Sequence, residues 1–359
     1  MKNLQFIIAL LLFPLSIWYA VGVAVRNLLY RCGILKSHKS PIPTIGIGNL
    51  RMGGTGKTPH TEYLIRLLER EKKFSISLLS RGYGRKTKGF LSTSDNSQFS
   101  IFNSQLLGDE PLMMHHKFPD LNVAVCEDRL EGVQKLSSFK FQSSSFNIVL
   151  LDDCYQHRRV KPDLMILLTE YDAPYFNDHI LPFGNLREFR SGCQRADIIV
   201  VTKCPPLISD QRRDEYRRRL RLRPGQQLFF SQIDYLPPQP LFDDCPWSTP
   251  REALLVTGIA NPEPLLRHLE RHFTVRHMAF PDHHPFSAID CRRIVDKFNR
   301  IKSPEKVIIT TEKDAMRLAN GGAKELLTTL PIFFIPISVS FAEGDSFDQT
   351  IKNSVFGVK

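Results

Sequence analysis

The chain carries no C-x-x-C pair. Its seven cysteines stand singly at positions 32, 126, 154, 193, 204, 245 and 291, an odd number without metal-ligand spacing. That excludes a zinc knuckle and a disulfide framework, and it fits a reducing cytosol. Internal repeats and long low-complexity tracts are missing too, so the chain is neither a repeat array nor a biased-composition scaffold. Acidic side chains are the scarcer charge: 37 Asp and Glu face 48 Lys and Arg, a formal net charge of +11. The excess points to anionic partners, namely nucleic acid, anionic lipid or phosphorylated substrates, without choosing among them. A nucleic-acid reader motif is also lacking, so no nucleic-acid partner is expected.

Charge is absent altogether from Leu4 to Val25, "LQFIIALLLFPLSIWYAVGVAV". At 1.5 Å per residue this stretch reaches across a bilayer core of about 30 Å. Pro14 would kink it, and Trp18 and Tyr19 suit the headgroup level. A cleaved signal peptide is the alternative, since Lys2 precedes the apolar run and small residues follow it. Arg26, Arg31, Lys36 and Lys39 outnumber Lys2, which keeps the bulk of a spanning chain cytoplasmic. A helix lying in one leaflet is equally compatible. The expectation is membrane attachment through residues 1–30, with its mode open.

With 359 residues, 42% of them hydrophobic, the chain can bury two cores. Short β-branched runs follow the first helix: "TIGIGNL" (44–50), "FSISLLS" (74–80), "NVAVCE" (122–127), "FNIVLLD" (146–152), "DLMILL" (163–168) and "DIIVVTK" (197–203). Their hydrophobicity is continuous rather than alternating, as in parallel strands covered on both faces. Helix-like stretches between them make this an α/β pattern. A very basic helix, "SDQRRDEYRRRLRLRPG" (209–225), and a proline-rich linker or crossover, "PPQPLFDDCPWSTP" (237–250), come next. The rhythm then resumes with "EALLVTGI" (252–259), "KVIITT" (306–311) and "IFFIPISVSF" (332–341). The expected division is a nucleotide-binding core over 31–225 and a smaller C-terminal α/β, lid-like domain over 226–359, the boundary falling within 205–240.

"GNLRMGGTGKTPHTEYL" (48–64) nearly spells a phosphate-binding loop. It ends in the required Gly56-Lys57-Thr58, but Arg51 stands where the pattern has its first glycine. A buried strand leads into the loop, and Pro59 lies near the first turn of the helix that follows, where a missing N–H costs least. Gly53, Gly54, Thr55 and Gly56 would form the cradle, Lys57 would reach the terminal phosphates and Thr58 would ligate Mg²⁺. A purely structural strand-to-helix turn is the alternative.

Asp152 and Asp153 end a strand, where phosphate-loop proteins hold Mg²⁺; a solvated acidic turn is the other reading. In "LGDEPLMM" Asp109 is either a helix N-cap or a carboxylate base, and Glu110 extends the base or metal-ligand possibility. "PDHHPF" is either an exposed loop or a proton-handling Asp282-His283 pair. Arg81, Arg85, Arg129 and Arg187 sit where arginine could clamp phosphate or simply face solvent. In "VTKCP" (201–205), Pro205 replaces the aspartate that would read guanine, which favours ATP over GTP.

In order and spacing, these motifs resemble the bacterial tetraacyldisaccharide 4'-kinase (lipid A 4'-kinase) family. The resemblance rests on the first helix and "GNLRMGGTGKTP", "LSRGYGR", "GDEP", "EDR", "LLDDCYQHR", "LPFGNLRE", "VTKCP", "FPDHHPF" and "TTEKDAMRL". It implies transfer of the ATP γ-phosphate to the 4'-hydroxyl of an acylated glucosamine disaccharide 1-phosphate at the cytoplasmic face of the inner membrane. ATP and Mg²⁺ are the implied cofactors, a lipid acceptor the partner, and a monomer the expected state. Lys57 and Thr58 would hold phosphate and metal, with Asp152, Asp153 and Glu110 near the metal. Asp109 would take the hydroxyl proton, assisted by His283 of the second domain, whose closure would exclude water. Arg129, Gln156, His157, Arg187 and Glu188 would line the site. The family usually shows Gly-Phe where Cys154-Tyr155 stand, and a small residue or proline in place of Phe189. A partitioning-type phosphate-loop ATPase and a nucleic-acid-binding protein are the rival readings.

Overall fold

Continuous β-branched runs bury both faces only when they lie side by side in one sheet, and the computed structural model shows that arrangement. It describes residues 2–71, 74–94, 102–139, 146–242, 247, 250–319, 321 and 324–357, with side chains from Phe13 onwards except at Phe74, Phe146 and Phe356. Cys245 and parts of the proline-rich stretch 237–250 lie outside the described residues. Among those described, the larger sheet has nine strands. Their spatial order is Ile337–Phe341, Gln227–Tyr235, Ile198–Thr202, Leu164–Glu170, Thr44–Asn49, Phe146–Leu151, Phe74–Ser80, Asn122–Val125 and Leu91–Ser92. The register is parallel from Gln227–Tyr235 through to Asn122–Val125, and the short edge strand Leu91–Ser92 runs antiparallel to its neighbour. Thr44–Asn49 sits at the centre with all six residues buried, and ligands of such sheets bind at the carboxyl ends of central strands.

The chain divides into two units, Met1–Ile233 with Val339–Lys359, and Asp234–Ser338. This corrects the expected division of 31–225 and 226–359 in two places. Gln227–Tyr235 pairs in parallel with Ile198–Thr202 and so extends the first sheet. The run 332–341 is two strands, Ile332–Ile335 and Ile337–Phe341, broken at Pro336, which lacks the N–H a ladder needs. The second of them returns to the larger unit, where the helix Asp345–Phe356 packs on the helix Lys57–Glu69 through Tyr63, whose hydroxyl donates to Asp348 Oδ1 at 2.5 Å.

In the smaller unit, a five-stranded sheet runs in the order Gln239–Pro240, Ile332–Ile335, Lys306–Thr311, Glu252–Thr257 and Thr274–Ala279. Its core gathers Leu254, Val256, Ile308 and Phe286 with the buried face of the helix Ala288–Asn299.

The first helix covers Lys2–Arg31 and contains Pro14. Ser16 Oγ accepts from Phe183 N at 2.8 Å, Tyr19 Oη donates to Arg187 O at 2.9 Å, and Arg26 donates to Gln156 O. The other side of the helix exposes Trp18, Val21, Val25 and Leu28. Among the described residues, no helix is long and apolar enough to cross a membrane.

Candidate active site

The phosphate-loop stretch is held from beneath by buried polar contacts. Asn49 Nδ2 donates to Thr55 Oγ1 at 2.8 Å, and Thr202 Oγ1 donates to Thr55 O at 2.9 Å. Gly53 and Gly56 take φ of 110° and 86°, a region that side chains rarely adopt. Gly56 is the N-cap of Lys57–Glu69 and supplies no side-chain cap, so the first amides of that helix are left for an anion. His60, one turn on, is buried, with Nδ1 2.6 Å from Gly56 O and Nε2 2.8 Å from Ser231 Oγ. Burial lowers its pKa to about 4. As a neutral ring donating from Nδ1, it fixes the loop carbonyl.

Arg51 explains the missing glycine. The chain leaves the strand still extended, and Arg51 forms an antiparallel bridge with Leu186. Met52 N donates to Asn185 O and Arg187 N to Leu50 O, each at 2.8 Å. The Arg51 guanidinium, three-quarters buried, donates to Asp178 Oδ2 at 2.6 Å and lies 4.0 Å from Glu170. The loop entry is thereby tied to the segment that carries Arg187 and Glu188.

Those contacts bring Lys57, Arg187 and Asp153 together. Lys57 Nζ lies 3.8 Å from Asp153 Oδ1, and Arg187 Nη1 donates to both Asp153 oxygens at 3.0 and 3.1 Å. Burial opposes ionisation of Asp153, but Lys57 and Arg187 outweigh it and hold the carboxyl below its ordinary range. Asp152 behaves in the opposite sense. Burial, then the nearby charges of Glu110 and Asp153, push it up to about 6. It lines a small cavity with Thr58, Ser80 and Glu110, and its Oδ1 has no hydrogen-bond partner. Asp152 thus faces the cavity, whereas Asp153 is paired with two cations.

The remaining site residues fall into two groups. Gln156 Nε2 donates to Asn49 O at 2.9 Å and to Glu188 Oε1 at 3.1 Å, while Gln156 Oε1 lies 3.4 Å from Arg187. Glu188 accepts from both arms of Arg195 at 2.8 Å, a clamp that the motifs did not indicate. His157 is brought down to about 4 by burial and then by Arg129 and Arg81, so it is neutral. Arg129 departs from expectation as a lining residue. It is 1% exposed and donates to Cys126 O at 2.5 Å and Asp152 O at 3.1 Å, supporting the site from behind. Arg85 is likewise committed, to Glu127 and Gly89 O.

Asp109 is exposed in the first turn of the helix Asp109–Lys117, whose N-cap is Gly108, so it is not the cap. Gly108 has φ 90°, and a Cβ there would stand 2.7 Å from Tyr83 O; only glycine lets "RGYG" and "GDEP" approach. His283 belongs to the smaller unit. Cys154, where the family usually has glycine, is buried without a left-handed backbone; the positive φ, 45°, is at Asp153. Tyr155 replaces the usual Phe and donates its hydroxyl to Gly192 O at 2.7 Å. Phe189 is an exposed surface residue.

A largely parallel α/β sheet with a glycine loop between its central strand and a helix, and with a lysine, an arginine and paired aspartates at the carboxyl ends of that strand and its neighbour, is the architecture of a nucleotide-binding α/β protein. The chain belongs to the tetraacyldisaccharide-1-P 4'-kinase family, whose sequence model matches residues 8–355. It is 42% identical over 356 residues to a tetraacyldisaccharide 4'-kinase of Bacteroides fragilis, covering 95% of this chain and 91% of that protein. A tetraacyldisaccharide 4'-kinase of Flavobacterium johnsoniae is 43% identical over 347 residues, covering 95% of each chain. Among solved structures, the "apo" form of LpxK from Aquifex aeolicus in complex with ATP superposes with a TM-score of 0.72 at 28% identity, covering 97% of this chain and 99% of that one.

Proposed function

We propose that the chain transfers the γ-phosphate of ATP to the 4'-hydroxyl of a tetraacylated glucosamine disaccharide 1-phosphate, a step of lipid A biosynthesis. The observation that carries the reading is the convergence of Lys57 and Arg187 on Asp153 beside the glycine loop, in a chain of this family. Both cations are held where incoming phosphates can replace the carboxylate as their partner. Phosphoryl transfer is largely positioning and charge neutralisation, so such preset cations supply much of what the reaction needs.

The residues also fit a magnesium ion. Among the described residues, no group of three or more His, Cys, Asp or Glu could hold a metal unaided. Magnesium does not require one, since it keeps waters and binds through one or two carboxylates plus substrate phosphates. The buried, unpartnered Asp152 Oδ1 beside Thr58 and Glu110 suits that role. When bound, the ion would neutralise charge developing on the transferred group. Thr58 and Asp152 are assigned to hold it, with Glu110 nearby.

Asp109 is assigned as acceptor of the 4'-hydroxyl proton; a placed carboxylate contributes about 10²–10⁴-fold. Asp109→Ala is expected to lower kcat by that order with little change in KM for ATP. An unchanged kcat would remove Asp109 from the chemistry. Gln156, His157 and Glu188 are assigned to the acceptor side, and His283 is assigned to assist the proton transfer. The exposed apolar side of the first helix rests on the membrane at its cytoplasmic face, while its other side contacts Phe183 and the Arg187 backbone. The reading is tested by incubating the purified chain with ATP and the lipid disaccharide. Phosphorylated lipid is expected from the wild type and none from Lys57→Ala; ATP hydrolysis without lipid product would overturn the proposal in favour of a non-kinase ATPase.

A further inference from the structure

Glu188 is 3% exposed, and a carboxylate taken out of water needs a partner. Arg195, at the end of the 3₁₀ turn Arg190–Arg195, supplies it. Its Nη1 donates to Glu188 Oε2 and its Nη2 to Oε1, each at 2.8 Å. Two parallel bonds of this kind fix the plane of the carboxylate as well as its place. The guanidinium is fixed in turn. Its carbon lies 4.6 Å from the centre of the Tyr155 ring, and Nη2 also donates to Tyr155 O at 3.3 Å. The Tyr155 hydroxyl donates to Gly192 O, inside the same turn.

The carboxylate decides how Gln156 lies. Gln156 Nε2 donates to Asn49 O at 2.9 Å and to Glu188 Oε1 at 3.1 Å. Both partners only accept, and the amide nitrogen has two hydrogens to give. Turned over, the amide would set its oxygen against two acceptors and its nitrogen against a guanidinium, which only donates. The surrounding groups therefore assign one orientation. In it, Oε1 faces Arg187, whose Nη1 donates to it at 3.4 Å and to both oxygens of Asp153. The contacts run from Arg195 through Glu188 and Gln156 to Arg187, wholly within the larger unit.

We propose that Arg195 is a positioning residue for the phosphoryl transfer. Through Glu188 it holds the Gln156 amide with its oxygen towards Arg187, so that Arg187 keeps an anchor when phosphate takes the place of Asp153. This deepens the kinase reading and rests on it for the reaction, but not for the orientation of Gln156. A lysine at position 195 would carry the charge without the fork. Geometry, and not charge alone, is what the site draws from Arg195.

Two measurements on the full chain test this. In the first, glutamine side-chain amides are labelled with ¹⁵N, the Gln156 signals being assigned by their loss in Gln156→Ala. In the wild type, both Gln156 amide protons should exchange with solvent more slowly than those of the exposed Gln211. Arg195→Lys should lose that protection. In the second, kcat is measured for lipid phosphorylation. Arg195→Lys should lower it by roughly 10–100-fold, the worth of a hydrogen bond to a charged group. Arg195→Lys with Gln156→Ala should be little worse than Gln156→Ala alone, whereas a merely structural role would make the two losses multiply. Multiplying losses, wild-type Gln156 protons that exchange like those of Gln211, or protection unmoved in Arg195→Lys would each overturn the proposal. If Arg195→Lys fails to fold, Glu188→Gln with Arg195→Met removes both charges of the buried pair at once and takes its place, with the same losses expected. A wild type that makes no phosphorylated lipid would remove the kinase reading, while loss of Gln156 protection in Arg195→Lys would still establish the hold of Arg195 on Gln156.

Discussion

Asp152 and Asp153 adjoin in sequence and differ in electrostatics because different groups face them. Asp153 meets two cations, whereas Asp152 meets burial and the charge of Glu110. A carboxyl whose folded pKa is raised to about 6 binds its proton more tightly folded than unfolded. Between its ordinary range and pH 6, stability therefore falls as pH rises, and it stays lower above that window. Asp152→Asn is accordingly expected to melt at a higher temperature than wild type at pH 7.5, to lose that advantage below about pH 4, and to lose kinase activity. Adding Mg²⁺ should raise the wild-type melting temperature at pH 7.5 and leave that of Asp152→Asn nearly unchanged. Equal melting temperatures of the two proteins at pH 7.5 without metal would dispose of the strained-carboxylate account. The sequence displayed the two acids at a strand tip, but not which would face a cation, because Arg187 arrives from 34 residues away through an unrelated segment.

At the scale of elements, the phosphate loop is an extension of the sheet's central strand fastened to a second segment. The Arg51–Leu186 bridge and the Arg51–Asp178 pair align that segment. Replacing Arg51 by glycine would complete the usual phosphate-loop pattern and nevertheless is expected to reduce kcat by about tenfold, corresponding to the loss of about 1.5 kcal/mol of charge-assisted hydrogen bonding. Asp178→Ala should behave alike, and the double variant should be little worse than either alone, since both cut one contact. Additive losses in steady-state kinetics would show that the two residues act separately. Strand runs such as "FSISLLS" and "KVIITT" were legible because both faces are buried. "QLFFSQIDY" and "TVRHMA" were not, since polar residues interrupt them: Thr274–Ala279 is an edge strand with alternate exposure, and Gln227–Tyr235 is buried only near its middle. The division of 332–341 at Pro336 had a visible signal in the proline, but the return of the second half to the first sheet is a tertiary fact.

At the scale of the molecule, the first helix presents two unlike faces. Trp18, Val25 and Leu28 are exposed on one side; Ser16, Tyr19, Arg26 and Asn27 bond to the segments carrying Phe183, Arg187 and Gln156–Arg158 on the other. The uncharged run was plain in the sequence, but its second, protein-facing role was not, because the partners of Ser16 and Tyr19 lie 167 and 168 residues away. The faces can be separated experimentally. Trp18→Glu with Val25→Glu removes apolar burial worth about 3 kcal/mol or more, on the order of a hundredfold in partitioning. That variant should fail to co-sediment with vesicles of phosphatidylglycerol and phosphatidylethanolamine, while retaining activity on detergent-dispersed acceptor. Tyr19→Phe with Arg26→Ala should do the reverse, pelleting like wild type but losing activity on dispersed acceptor, since Tyr19 and Arg26 bond to the backbones of Arg187 and Gln156. If both variants lose the same property, the helix has one role and not two. If the dissociation holds, the element that meets the lipid surface is also one of the elements that set the position of Arg187.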